Sequence, residues 1–347
     1  MKVYIIAFST KGCRTAMEIA KVFEGEDVSL FSKTTADNLG LTHVPQTMRE
    51  WTGDAFGVCD SIVFVGSVGI AVREIAPFVK SKTVDPAVIS VDELGRFTIP
   101  LLSGHIGGAN EIALRIAAGI GSTPVVTTAT DINGKIAIDA FAVTHDLYIY
   151  NLMAAKDVAS RILAGDPVGI VSDFPVEGDV PPELSAGPSA PTIVQISEDI
   201  GNRIKGALLL IPRYRVLGIG CRRGTPKEDI EAVVAKVLEE ENIPRQTIRA
   251  CASIDLKKDE EGLLAFAAEH RLPISFHSAE ELNSLEGEFS RSEFVNSVTS
   301  VDCVCERSAV IASRNGRVSV RKHAENGVTV AVAEEPFTVN FTRKGSK

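Results

Sequence analysis

Cysteine is scarce in this chain: six in 347 residues, at positions 13, 59, 221, 251, 303 and 305. No two have the C-x-x-C spacing of a zinc ribbon or a thioredoxin-like site. Cys303 and Cys305 form a C-x-C, a poor spacing for structural zinc, so neither a disulfide framework nor a metal knot is expected. Any apolar run of about 18 residues is also missing, which argues against a membrane-spanning helix and membrane contact. The apolar run 3–8 is too short for the core of an export signal and reads as a first strand. Basic residues are in deficit: 36 Lys+Arg against 45 Asp+Glu leave −9, spread along the chain. That disfavours nucleic acid as a partner, although local arginines can still hold an anionic small ligand. No G-x-x-x-x-G-K-[ST] is present, and the glycine block at 104–108 lacks the G-x-G-x-x-G order, so a nucleotide-dependent enzyme is disfavoured. The expectation left is a soluble, reduced, cytoplasmic protein.

The composition, 45% apolar and 23% charged, is that of a globular chain long enough for two or three domains. Short β-rich runs alternate with helical patterns, which predicts an α/β fold with mostly parallel sheets. Strands are expected at 3–8, 62–65 and 97–102, helices at 16–23, 70–79 and 109–120, and a short buried strand at 124–127. A smaller α/β middle region follows, with strands at 147–150, 168–171, 192–196 and 207–211 and a helix at 152–163. Its stretch 174–191 holds Pro175, Pro181, Pro182, Pro188 and Pro191 and reads as a loop. The last part is expected to run strand 216–219, helix 227–240, strand 248–254, helix 260–270 and strand 273–276, with a strand pair at 318–321 and 328–333. The terminal residues 342–347 are polar and expected to fray. The domains are therefore 1–135, 136–213 and 214–347, with three-layer α/β/α units at the two ends. Gly12-Cys13-Arg14 and Gly220-Cys221-Arg222 echo one another between strand and helix, as a duplication would or as chance allows.

The densest local signal is Ser103-Gly104-His105-Ile106-Gly107-Gly108-Ala109-Asn110, between a strand and a helix. Its glycines let backbone approach a ligand, and the helix start offers unpaired N–H groups to an anion. His105 can serve there as acid or base near neutral pH; the alternative is a tight turn with a histidine that caps or packs locally. Gly66-Ser67-Val68-Gly69 and Thr127-Thr128-Ala129-Thr130-Asp131 follow other strands. In a parallel sheet all three turns would share one edge, where ligands bind. Asp131 has helix capping as its plain alternative.

In the last part, Gly218–Thr225 is the equivalent turn. Thr225-Pro226 reads as N-cap and first helical residue. Arg222 and Arg223 at a helix mouth could grip carboxylates bidentately, or simply be solvated. Cys221 is a nucleophile only if a partner base stands near; otherwise it is a buried bystander. Asp255, Lys257, Glu306, Arg307 and the trio Arg321-Lys322-His323 are each explicable as surface charge. His43, His145, His270 and His277 lack ligand-like spacing and read as surface or capping residues.

Taken together, residues 66–73, Asp85-Pro86-Ala87-Val88, residues 101–110 and 127–131 resemble the N-terminal region of the CbiG family. These are the cobalt-precorrin-5A hydrolases of anaerobic cobalamin (vitamin B12) biosynthesis. Residues 218–225, Ile254-Asp255-Leu256-Lys257, Ser292-Glu293-Phe294-Val295, residues 304–309 and Gly327-Val328-Thr329-Val330-Ala331 resemble its C-terminal region. Arg321-Lys322-His323 departs from the Lys-Gln-Lys-like residues expected there. The resemblance spans nearly the whole chain and implies a tetrapyrrole substrate: a ring-contracted cobalt macrocycle with a δ-lactone and many carboxylates. Water opens the lactone and acetaldehyde leaves, giving cobalt-precorrin-5B. No cofactor and no protein metal site are implied, because the substrate carries the cobalt. His105 is then the candidate acid or base, with the N–H groups of Gly107, Gly108 and Ala109 as oxyanion donors. Gly66, Ser67, Gly69, Ser103, Gly104, Gly107, Gly108, Asn110, Thr128, Asp131, Gly220, Arg222, Arg223, Lys257, Glu306 and Arg307 are the candidate substrate-binding residues. A non-catalytic carrier of the same intermediate is the competing reading. A homodimer and transient contact with pathway methyltransferases stay open.

Overall fold

A computed structural model describes residues 1–81, 84–291, 299–314 and 316–342. The described chain divides into two units, one built from Met1–Val143 with Ile162–Asp166, the other from Thr144–Arg161 with Pro167–Thr342. The Ser292–Val295 motif and residues 343–347 of the tail lie outside the described residues.

The first unit runs β1 (Lys2–Ala7), α1 (Thr10–Val22), β2 (Asp27–Ser32), β3 (Thr42–His43), α2 (Met48–Val58), β4 (Ser61–Val65), α3 (Val68–Ile75), β5 (Ala87–Val91), β6 (Phe97–Leu102), α4 (Ala109–Ile120), β7 (Thr123–Pro124), α5 (Ala129–Ile132) and α6 (Ile138–Thr144). Its sheet has the order β3-β2-β1-β4-β5-β6-β7. Successive strand side chains point to opposite faces, and β1 obeys this. Val3, Ile5 and Ala7 pack with Cys13, Ala16 and Ile19 of α1 and Ile112 and Ile116 of α4. Ile6 turns the other way, into a cluster with Trp51 and Ala55 of α2 and Ala71 and Ile75 of α3. Both faces are covered, so β4 and β5 read as unbroken apolar runs. This is the expected three-layer unit.

One strand runs against expectation. β1 to β5 are mutually parallel, but β6 is antiparallel to β5, with Val88 opposite Leu102. The connection from Val91 to Phe97 is too short for a parallel crossover, which needs a dozen or more residues. The buried strand expected at 124–127 is a two-residue edge strand, Thr123–Pro124, and exposed. Among the described residues it pairs only with β6, which leaves its outer side exposed.

The second unit continues with β8 (Leu147–Ile149), α7 (Leu152–Ala164), β9 (Val168–Ser172), β10 (Val176–Glu177), β11 (Leu184–Ala186), β12 (Thr192–Ile196), β13 (Leu208–Pro212), β14 (Arg215–Cys221), α8 (Lys227–Glu240), β15 (Ile248–Ile254), α9 (Glu261–Glu269), β16 (Ile274–His277), α10 (Ala279–Asn283), α11 (Val304–Ala312), β17 (Arg317–Glu325), β18 (Val328–Glu334) and β19 (Val339–Asn340). One sheet has the order β11-β9-β12-β13-β8, a second β16-β15-β14-β18-β17, and β10 pairs with β19. The proline-rich stretch is thus not loop alone, since it contributes β10 and β11. α8 and α9 cover one face of the second sheet through Ile230, Val234, Leu263 and Phe266 against Leu217 and Ile219. α11 lies against the other face at Gly218, where any Cβ would overlap the Cys305 carbonyl group. Only glycine admits helix backbone that close to strand backbone.

Three further expectations change. Gly12-Cys13-Arg14 lies inside α1 whereas Gly220-Cys221 ends β14, so the echo occupies unlike places. The N-cap of α8 is Pro226, not Thr225, whose hydroxyl instead donates to the Arg222 carbonyl. His145 is buried rather than superficial, with Nε2 2.6 Å from the Asn340 carbonyl oxygen.

Candidate functional site

β6 delivers the chain to a turn held from inside. Ser103 adopts a left-handed φ of 58°, uncommon for a residue with a side chain. Its hydroxyl donates to the Asp85 carbonyl at 3.0 Å, which ties the turn to the approach of β5. Gly107 folds back so tightly that a Cβ there would overlap the Ser103 Cβ and stand 2.9 Å from the Ser103 carbonyl oxygen. The Gly108 N–H donates to the His105 carbonyl at 3.0 Å, Ala109 to Ser103 at 3.1 Å and Asn110 to Gly104 at 3.0 Å. The expected oxyanion role is thereby corrected for Gly108 and Ala109, whose N–H groups close the turn.

This turn places His105 between two carboxylates. Its Nε2 is 2.9 Å from Asp131 Oδ2 and its Nδ1 is 3.1 Å from Asp139 Oδ1. The Thr130 hydroxyl lies 3.2 Å from Nε2. Asn110, buried at the start of α4, donates from Nδ2 to Asp131 Oδ2 at 3.1 Å and to the Thr128 hydroxyl at 2.8 Å. Thr128 in turn donates to Asp131 Oδ2. The hydrogen bond to Asp139 raises the His105 pKa above its ordinary value, against burial, with the Asp131 bond adding to it. Burial alone would lift the Asp131 carboxyl, but hydrogen bonds from Thr128, His105 and Asn110 outweigh it and hold its pKa low. Each shift favours the charged form of its group. Such an array can move a proton to or from a bound molecule.

His105, Asn110, Thr128 and Asp131 are thus brought together as the sequence led us to expect. Asp139 and Thr130 were missed. Thr130 sits inside a motif already singled out, while Asp139 lies on α6 in a stretch with no local mark of function.

Gly66, Ser67 and Gly69 do not join them. β6 is reversed, so its end lies beside the start of β5, and the His105 turn hangs from the edge opposite to the end of β4. The one-edge expectation is corrected: a strand length of about 16 Å separates the two edges. Ser67 is the N-cap of α3, and Gly66 donates its N–H to the Val91 carbonyl at 2.7 Å.

In the second unit the candidate cations differ in how firmly the protein holds them. Arg222 is exposed, and its stem lies over Gly327, where a Cβ would stand 2.9 Å from the Arg222 Cδ. Arg223 pairs at the surface with Asp259 at 2.7 Å. Lys257 reaches Glu260 at 3.2 Å, and Glu260, 3% exposed, also takes the Gly224 N–H. Gly220 faces Thr329, whose hydroxyl a Cβ would meet. Burial raises the Cys221 pKa, which favours the inert thiol over a nucleophile.

Glu306 and Arg307 are corrected to structural roles. Glu306 is fully buried and accepts from Ser290 N–H at 2.8 Å, Ser290 Oγ at 2.6 Å and Lys322 N–H at 2.8 Å, with Arg321 at 3.4 Å. Arg307 bonds Asp302 at 2.7 Å and the Leu282 and Leu285 carbonyls at 3.0 Å, with its guanidinium over the Phe289 ring. Of the basic trio, Arg321 and Lys322 thus meet Glu306, and His323 meets Glu325 at 3.1 Å.

Comparison with known proteins covers both units. Residues 50–131 match the Cobalamin synthesis G N-terminal model, 136–211 the Cobalamin biosynthesis central region and 215–333 the Cobalamin synthesis G C-terminus. A cobalt-precorrin-5A hydrolase from Priestia megaterium is 29% identical, over 96% of this chain and 95% of that one. One from Salmonella typhimurium is 33% identical, over 80% and 83%. A crystal structure of a cobalamin biosynthesis protein G homologue from Sulfolobus solfataricus aligns over 96% of this chain and 97% of that one, at 25% identity and a TM-score of 0.44. His105 and Asp131 fall in the first matched region and Arg222 and Arg223 in the last, and with all three regions matched in order the chain belongs to the CbiG family.

Proposed function

We propose that this chain is a cobalt-precorrin-5A hydrolase, opening the δ-lactone of a ring-contracted cobalt tetrapyrrole and releasing acetaldehyde to give cobalt-precorrin-5B. The observation that carries the reading is His105 held between Asp131 and Asp139, in a chain whose relatives bear that enzyme's name. Water adds to the lactone carbonyl carbon and the acyl–oxygen bond breaks, leaving a carboxylic acid and a hydroxyl. That hydroxyl then loses its proton, its carbon becomes the aldehyde, and the electron pair of the broken carbon–carbon bond passes to the conjugated macrocycle. Both steps need a proton moved at a fixed place, which the His105 array supplies. The Gly107 N–H is the one expected oxyanion donor that the turn leaves to this role, while Ser103 and Gly104 shape the turn.

Peripheral carboxylates of the substrate are assigned to Arg222 and Arg223. Arg222 has no ion pair among the described residues, and the exposed pair of Arg223 with Asp259 is readily exchanged. Lys257 is assigned to Glu260 instead. The reading needs no resident cofactor, since the cobalt arrives as part of the substrate. The tetrapyrrole is the sole partner it requires, and the cytoplasm is the compartment it assigns.

The test is turnover of cobalt-precorrin-5A with an acetaldehyde trap and enzyme far below substrate. Many equivalents of acetaldehyde per chain support the hydrolase. One equivalent or less, with tight binding, would replace it with a carrier.

A further inference from the structure

We propose that Asp131, acting through Oδ1, takes the proton from the attacking water, and that His105 is the paired acid, kept in place by Asp139 as a positioning residue. This rests on the hydrolase reading above and assigns the direction of proton movement within it. Histidine alone would ordinarily be assigned the base.

Three features of the site argue otherwise. Both ring nitrogens of His105 face carboxylate oxygens, at 2.9 Å and 3.1 Å. Only the imidazolium has a donor on each nitrogen; a neutral ring would set a lone pair against one carboxylate. A ring that already carries both protons cannot accept another. Second, the bonds from His105, Asn110 and Thr128 all converge on Asp131 Oδ2, which leaves Oδ1 to accept from water. Third, the two carboxylates are unequally enclosed: the Asp131 side chain is 36% exposed and the Asp139 side chain 15%. Asp131 is the one a substrate and its water can reach. The charged groups that meet the ring are Asp131 from α5 and Asp139 from α6. The raised His105 pKa and lowered Asp131 pKa agree with the same pair of charges.

The step balances without a further reactant. An O–H bond of water breaks toward Asp131 Oδ1 as its oxygen bonds to the lactone carbonyl carbon. The acyl–oxygen bond breaks, and the leaving oxygen takes the proton of His105 Nε2. Asp131 then releases its proton to solvent and His105 regains one, so only water is consumed. A carboxylate held at low pKa is a weak base, but a simultaneous proton gift from His105 leaves the net charge of the cluster unchanged through the step.

The experiment combines ¹⁵N-histidine NMR of the full-length protein with the pH profile of kcat/KM for acetaldehyde release. The His105 resonance, identified by its loss in His105→Gln, is expected to show two protonated nitrogens at neutral pH. Turnover is expected to fall as pH rises through the titration of that resonance. Asp139→Asn should move the NMR titration and the alkaline limb of kcat/KM to lower pH together, with KM little changed; a merely structural residue would not shift both in step. Asp131→Asn should lose on the order of 10²-fold or more in kcat, and Asp131→Glu should recover part of it. Should Asp131→Asn fail to fold, Asp131→Glu and the wild-type profile still decide. A neutral His105 ring, or turnover that rises through its titration, overturns the assignment while leaving the hydrolase standing. An intact imidazolium with no acetaldehyde overturns the hydrolase reading and, with it, this role.

Discussion

Glu306 and Ser290 are joined twice across sixteen residues, through the serine N–H at 2.8 Å and its hydroxyl at 2.6 Å. With the Lys322 N–H on the same fully buried carboxylate, three donors depend on one side chain. Glu306→Ala should therefore destabilise the protein by about 1–3 kcal/mol, the scale of leaving a buried polar group without its partner, since the Ser290 and Lys322 donors are half-buried and partly reached by water. Glu306→Gln should cost less. Burial pushes the Glu306 pKa up, but the bonds from Ser290 and Lys322 outweigh it and hold it low. A depressed folded-state pKa contributes stability above the unfolded value, about 4.3, and loses it as pH falls through the folded one. Urea unfolding at neutral and acid pH should show the advantage of wild type over Glu306→Gln shrinking in acid.

His105 gives the opposite pH dependence. Its folded pKa is raised, so its contribution is fully present below the unfolded value of about 6.5 and is lost as pH climbs through the folded one. Wild type should lose stability across that alkaline window relative to His105→Gln, and Asp139→Asn should narrow the window. Equal slopes for wild type and His105→Gln in chemical denaturation would contradict the clamp.

Gly107→Ala tests the turn. Its Cβ would overlap Ser103, so the turn must shift, at about 1–3 kcal/mol by the usual cost of overpacking. Turnover should fall further than stability does, because the shifted segment carries His105. Calorimetry and acetaldehyde release on the same variant separate the two effects.

The cations of the second unit should divide by readout. Arg222→Ala should raise KM about tenfold, the scale of one hydrogen bond to a charged group, with kcat and Tm held. Lys257→Met should lower Tm, because Glu260, 3% exposed, loses its nearer cation and keeps only Arg223 at 3.8 Å. If Arg222→Ala instead lowers Tm and spares KM, its assignment to substrate is wrong.

Several elements were legible residue by residue: β6, β12, β15 and α8 have the bounds that their apolar runs and flanking turn residues predicted. β5 was not identified, although Ala87–Val91 is a buried run of strand-forming residues. With β5 unseen, the short Val91–Phe97 link carried no information about direction, and the reversal of β6 went unread. α2 was missed because Gly53 and Gly57 dilute its helical pattern. Most of the His105 cluster was visible because Ser103–Asn110 and Thr127–Asp131 are dense in polar and glycine residues. Asp139 was not, because a side chain that acts through its position in space leaves no periodicity or spacing behind.

The reversed β6 also bears on how such a protein can diverge. The turn carrying His105 and the turn carrying Ser67 hang from opposite rims of one rigid sheet, each closed by its own backbone bonds. Gly66 is tied to the end of β5 through Val91, whereas rewriting Ser67–Gly69 touches neither that bond nor the β5–β6 register. One rim can change its sequence while the His105 cluster on the other keeps its geometry.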